Sequence, residues 1–131
     1  MFSRLCVIAL VALACGTSPG VQPPLNQPFS LRIGESARFS DADLTVTFRA
    51  VSEDSRCPRD VVCVWAGNGQ VQLEVQLGTS VRTAMLNTTT QPHEVSVDSY
   101  RLALVELAPV PHSQHPIPPS QYVATLRLQA N

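Results

Sequence analysis

The chain has 131 residues, of which 44% are hydrophobic and 15% charged, and its formal net charge is −1. That is one domain's worth of sequence once a leader is removed, enough to bury about 60–65% of the unfolded surface. There is no basic excess to grip nucleic acid or anionic lipid, and the nine basic residues, all arginine, are scattered.

The first element is a leader. Met1-Phe2-Ser3-Arg4 carries one positive charge, Leu5 to Leu13 is unbroken apolar sequence, and Ala12 and Ala14 precede Cys15-Gly16. Charged start, apolar run and small-residue cleavage site make residues 1–14 a signal peptide. The run falls short of the about 20 apolar residues a membrane span needs. Ala12-Leu13-Ala14 fits ordinary secretion, and Val11 to Cys15 resembles the bacterial lipobox, in which the cysteine is acylated and becomes the new N-terminus. Both routes cut the same bond. Cysteine parity separates them. Cys6 leaves with the leader and Cys57 can pair with Cys63, so Cys15 is left over in an oxidising compartment. Lipidation of Cys15 accounts for it. The expectation is an exported protein anchored in a membrane by its N-terminal lipid. Gly16, rather than Asp, favours an outer membrane facing the periplasm.

Residues 15–28 contain four prolines and no charge, and read as the lipidated cysteine followed by a tether. Residues 29–131 form a single β domain. Phe29, Leu31 and Ile33 alternate with polar residues before a turn at Gly34-Glu35. Ala37 and Phe39 continue the pattern. Leu44, Val46, Phe48 and Ala50 give the next strand. Val71, Leu73, Val75 and Leu77 give the cleanest one. Val81 to Leu86 follows the turn at Gly78-Thr79-Ser80. Val95 to Val97 is short, Tyr100 to Leu107 ends at Pro109, and Tyr122 to Leu128 closes the chain. Leu102 to Leu107 alone admits a helical reading, which Pro109 and Pro111 oppose. Pro111 to Pro119 is a loop, because proline cannot donate into a central ladder. The fold class is all-β: an antiparallel β-sandwich or small barrel of about seven or eight strands with one disulfide.

The densest stretch is Asp54-Ser55-Arg56-Cys57-Pro58-Arg59-Asp60-Val61-Val62-Cys63-Val64-Trp65-Ala66-Gly67. A Cys57–Cys63 bridge pins a tight loop between a strand ending near Ser52 and one starting near Val62, and stabilises by about 2 kcal/mol on the chain-entropy model. On that second strand Trp65 shares a face with Cys63 and can cover the sulfurs. Asp54 or Asp60 can pair with Arg56 or Arg59. A D-S-R-C-P-x4-C-x-W-x-G pattern of this kind resembles a group of small, uncharacterised bacterial secreted proteins and lipoproteins. Tyr100-Arg101-Leu102-Ala103-Leu104 with Pro109, and Tyr122-Val123-Ala124, look like the same group. The resemblance implies a β-rich exported domain and implies no activity.

Two uses of the segment follow. One is a stapled corner of the fold. The other is a presented binding loop of Arg56, Pro58, Arg59, Asp60 and Trp65, preorganised by the disulfide. Its sharpest form is a protease-inhibitor-like loop with Arg59 entering a pocket. Five residues between the cysteines argue against CxxC redox chemistry. Zinc on the two cysteines would need further ligands and a reducing compartment. His112 and His115 with His93, and Met85 as a soft extra, could hold copper or zinc weakly, but ordinary loop histidines are the simpler reading. There is no G-x-S-x-G, no H-E-x-x-H and no phosphate-binding glycine loop. The expectation is a non-enzymatic binding or structural module without cofactor or metal, its partners the membrane and an envelope protein.

Overall fold

The computed structural model describes residues 20–131, so the leader and Cys15 lie outside the described residues. Eight strands form two four-stranded antiparallel sheets, the sandwich rather than the barrel of the two expected architectures. They are β1 (Pro28–Arg32), β2 (Ser36–Phe39), β3 (Leu44–Asp54), β4 (Gly69–Leu77), β5 (Ser80–Asn87), β6 (Glu94–Val97), β7 (Tyr100–Ala108) and β8 (Val123–Ala130). One sheet has the order β1-β8-β7-β6 and the other β2-β3-β4-β5.

The period-two pattern places the core between the sheets. Val71, Leu73 and Val75 of β4 point inward while Gln72 and Glu74 stay partly exposed and Gln76 is exposed. Leu31, Phe48, Leu86, Leu102, Leu126 and Leu128 are fully buried beside them. Each such side chain contributes about 1.5–3 kcal/mol relative to exposure. Phe29 and Phe39 meet edge to face across the two sheets, ring centroids 5.3 Å apart. The helix-like spacing of Leu102 and Leu107 has a simple cause. The register with β8 shifts between Leu104 and Glu106, and the extra residue turns Leu107 back inward.

Two expectations are corrected here. The Pro-rich stretch does not run free as far as Pro28. Val21 forms a parallel bridge with Ala37, its N–H donating to the Ser36 carbonyl at 3.1 Å and its own carbonyl accepting from Arg38 N–H at 2.8 Å. Leu25 packs on the core and Asn26 N–H reaches the Leu128 carbonyl. The outer edge of β2 would otherwise carry unpaired backbone groups, and Val21 satisfies some of them. Second, the strand expected near Val62 starts only at Gly69, and β3 runs two residues past Ser52.

The strand directions sort the connections. The β1–β2, β3–β4, β5–β6 and β7–β8 connections all lie at one end of the sandwich. The two long ones, residues 55–68 and 109–122, are therefore neighbours.

Candidate functional site

β3 breaks register twice, between Phe48 and Ala50 and between Val51 and Glu53. Beyond Asp54 and Gly69 the pairing continues as a narrow arm, with Ser55 N–H on the Asn68 carbonyl (2.8 Å) and Cys57 N–H on the Ala66 carbonyl (3.2 Å). Cys57 and Cys63 are joined, their Cα atoms 5.9 Å apart, and close the arm as expected. The side chains beyond the bridge find no core. Val62 is fully exposed, Val64 is 91% exposed and Trp65 83% exposed. Trp65 therefore does not sit on a strand or in a buried cluster. Gly67 turns the chain through a left-handed conformation (φ +66°) just before β4, which breaks the alternation that would have placed Trp65 on a strand face.

The base of the arm is an ion-paired clamp. Arg56 donates from Nε and Nη2 to the two carboxylate oxygens of Asp54, at 2.7 and 2.9 Å. Its Nη1 and Nη2 also donate to the carbonyls of Leu107 and Pro109, at the end of β7 in the opposite sheet. The Tyr122 hydroxyl donates to Asp54 Oδ2 at 2.8 Å. One carboxylate and one guanidinium thus tie the arm to both sheets, in bidentate geometry. Arg56 is a structural clamp, with its side chain only 12% exposed, and is not offered to a partner.

Burial tends to raise the Asp54 pKa, but the hydrogen bonds from Arg56 and Tyr122 and the Arg56 charge outweigh it and hold the carboxyl below its ordinary range. Burial, followed by the bond to Asp54 and its charge, pushes the Tyr122 phenol up from 10.0 to about 12. The folded state favours the neutral phenol. Its contribution to stability is complete below pH 10.0 and is lost as pH rises toward about 12. Tyr122→Phe is expected to lose about 1.5–3 kcal/mol at neutral pH and to flatten the alkaline fall in thermal stability. An unchanged alkaline slope in the variant would refute the assignment. Asp54 acts in the opposite sense, its contribution present above the ordinary carboxylate range and lost in acid.

One side of the arm, at residues 59–60, leans on the Pro-rich loop. Arg59 N–H donates to the Pro111 carbonyl at 3.0 Å. Asp60 accepts from Ser113 N–H at 2.9 Å and from the Ser113 hydroxyl, which hold its carboxyl below the usual range. His112 Nε2 lies 3.7 Å from the same carboxylate. Asp54 therefore pairs with Arg56 as expected, while Asp60 is used across the loops and not by an arginine. Pro58 is half-buried, and Arg59 and Asp60 are exposed. A groove of about 410 Å³ runs between the two loops, lined by Arg59, Val110, His112, His115, Ile117 and Gln121.

Ser113, His112 and Asp60 bring a hydroxyl, an imidazole and a carboxylate together. Their order is wrong for nucleophile activation, because the hydroxyl binds the carboxylate directly and the base does not stand between them. His115 stacks near His112, ring centroids 5.0 Å apart, while the His93 ring contacts the Asn87 carbonyl. Among the described residues no three His, Cys, Asp or Glu side chains are grouped so as to hold a metal ion. No helix among them is long and apolar enough to cross a membrane.

Sequence reasoning missed Tyr122 and Ser113 as partners of Asp54 and Asp60, which lie 68 and 53 positions away. It also missed Asn68, which is buried beside Asn87. Asn68 Nδ2 donates to Asn87 Oδ1, and Asn68 Oδ1 accepts from the N–H groups of Thr89 and Thr90. Asparagine in a loop sequence carries no signal that would distinguish this role. No protein-family model, curated protein or solved structure matches the chain.

Proposed function

We propose that this protein is an exported, lipid-anchored β-sandwich without catalytic activity, and that its working surface is the stapled arm. The observation that carries the reading is the separation of duties within residues 54–67. Asp54 and Arg56 hold the arm, while Val62, Val64 and Trp65 stand outside every core. Large apolar side chains held in water by a rigid staple contribute nothing to folding and fit a contact surface. Cys15 supplies the anchor in this reading, and an outer membrane facing the periplasm is the address.

The test has two parts. Palmitate label on the chain is expected, lost in Cys15→Ser and blocked by globomycin. A photoreactive residue at position 64 is expected to give adducts in cells, whereas one at Gln76 on the outer face of β4 gives none. Equal adduct yield from both positions, or none from position 64, would remove the arm as the working surface.

The protease-inhibitor reading draws less support. The arm's most projecting side chains are apolar, and Arg59 instead lines the groove against the Pro-rich loop.

A further inference from the structure

At Gly20 the chain, followed toward its N-terminus, points to the end of the sandwich that carries the arm. The bridge between Val21 and Ala37 is parallel. Followed backward from Val21, the chain heads past Ser36, which pairs with Thr47 of β3. That is the direction in which β3 runs on to Asp54 and the arm. Residues 48–54 of β3 carry the strand about 20 Å further in that direction at about 3.3 Å per residue. Cys15 lies five positions before Gly20, and that length of chain can span at most about 18 Å. That length lets Cys15 approach, but not pass, the level of the end of β3, and the tip of the arm stands beyond it.

We infer that the tip formed by Val62, Val64 and Trp65 is a second membrane contact, which seats in the interfacial region of the bilayer beside the acylated N-terminus. The inference rests on the Cys15 anchor proposed above and names the partner of the arm. Three features favour a bilayer as the occupant. The valines have no polar atom that needs a partner, and a tryptophan is the residue best suited to the boundary of water and lipid. The carboxylate nearest the tip, Asp60, is drawn back onto Ser113, while Arg59 beside it is exposed at the rim of the groove, where a guanidinium can meet lipid phosphate. The anchor makes the second contact intramolecular, so a few side chains suffice. Shallow seating leaves the arm's backbone groups at headgroup depth, where they stay solvated.

Trp65 is the sole tryptophan of the chain and reports on itself. The acylated full chain would be reconstituted into vesicles of phosphatidylethanolamine and phosphatidylglycerol, with the Cys15→Ser chain in buffer as the reference. Trp65 emission is expected to shift to the blue, and acyl-brominated lipids are expected to quench it at least about twofold. In Val62→Ser/Val64→Ser the seating equilibrium is expected to weaken by at least about tenfold, so the shift and quenching fall while the palmitate label stays. Both substituted positions are exposed, so the fold is not at stake. If Trp65 of the anchored chain is as open to acrylamide as in the reference, the membrane contact is overturned and the anchor stands. If protection appears only when envelope proteins are added, a protein is the occupant and the proposal fails. If the chain carries no palmitate and washes from the vesicles, the anchor itself fails and the proposal falls with it.

Discussion

Replacing Arg56 with alanine is expected to destabilise the domain by about 3 kcal/mol or more, among the largest effects of any single polar substitution in this chain. The guanidinium holds both oxygens of Asp54 and two carbonyls at the end of β7. Asp54 and Arg56 side chains are only 13% and 12% exposed, so water replaces little of what is lost. Removing Arg56 leaves a partly buried carboxylate with Tyr122 as its one remaining side-chain partner, and leaves two carbonyls of the opposite sheet short of a donor. Urea unfolding should show a lower midpoint with an unchanged slope. Asp54→Asn combined with Arg56→Ala should cost little more than Arg56→Ala alone, because the two act through one another. Arg59→Ala, three residues away and exposed, should stay within about 0.5 kcal/mol of the parent. A loss below about 1 kcal/mol for Arg56→Ala would show that the pair behaves as a surface ion pair and does not clamp the sheets.

Gly67→Ala is expected to cost about 3 kcal/mol and to displace the arm. The residue has φ +66°, and a Cβ there would lie 1.7 Å from the Ser55 carbonyl oxygen. The clash is with backbone, so no side-chain rotation relieves it. Relief requires the arm to open, with loss of the bonds from Ser55 to Asn68 and from Cys57 to Ala66. Gly78→Ala is the matched control. It also has positive φ (+58°), but its nearest contact would be Asp43 Oδ2 at 3.7 Å, an ordinary separation. It should show only the left-handed backbone cost of about 1–2 kcal/mol. Equal losses at the two glycines in thermal unfolding would mean that close packing of the arm contributes nothing.

Most of the sandwich was legible because burial on one face writes itself into a strand as period two. Val71 to Leu77 and Tyr122 to Leu128 show that pattern without interruption, and both lie where the alternation places them. Leu102 to Leu107 was ambiguous because a bulge inserts one residue, which the sequence pattern cannot distinguish from helical spacing. The candidate site was half legible. The Cys57–Cys63 bridge and the Asp54–Arg56 pair are local, and short spacing suffices to propose them. Trp65 went astray because a strand was expected from near Val62, whereas β4 starts only at Gly69, after the left-handed turn at Gly67.

The sequence by itself determined the all-β class, the positions of the strands outside the Cys57–Gly67 segment, most of their inward-facing residues and the staple, and it motivates the reading of Cys15 as a lipid anchor. Each of these depends on neighbours a few residues apart, through side-chain alternation, turn chemistry or cysteine count. Only the tertiary structure decided that the architecture is a sandwich, that Tyr122 caps the Asp54–Arg56 clamp and that Asp60 serves the Pro-rich loop. It also decided that Val62, Val64 and Trp65 face solvent at the end toward which the chain retreats before Val21. Those outcomes depend on which strands pair across long sequence separations, and no local periodicity encodes that choice.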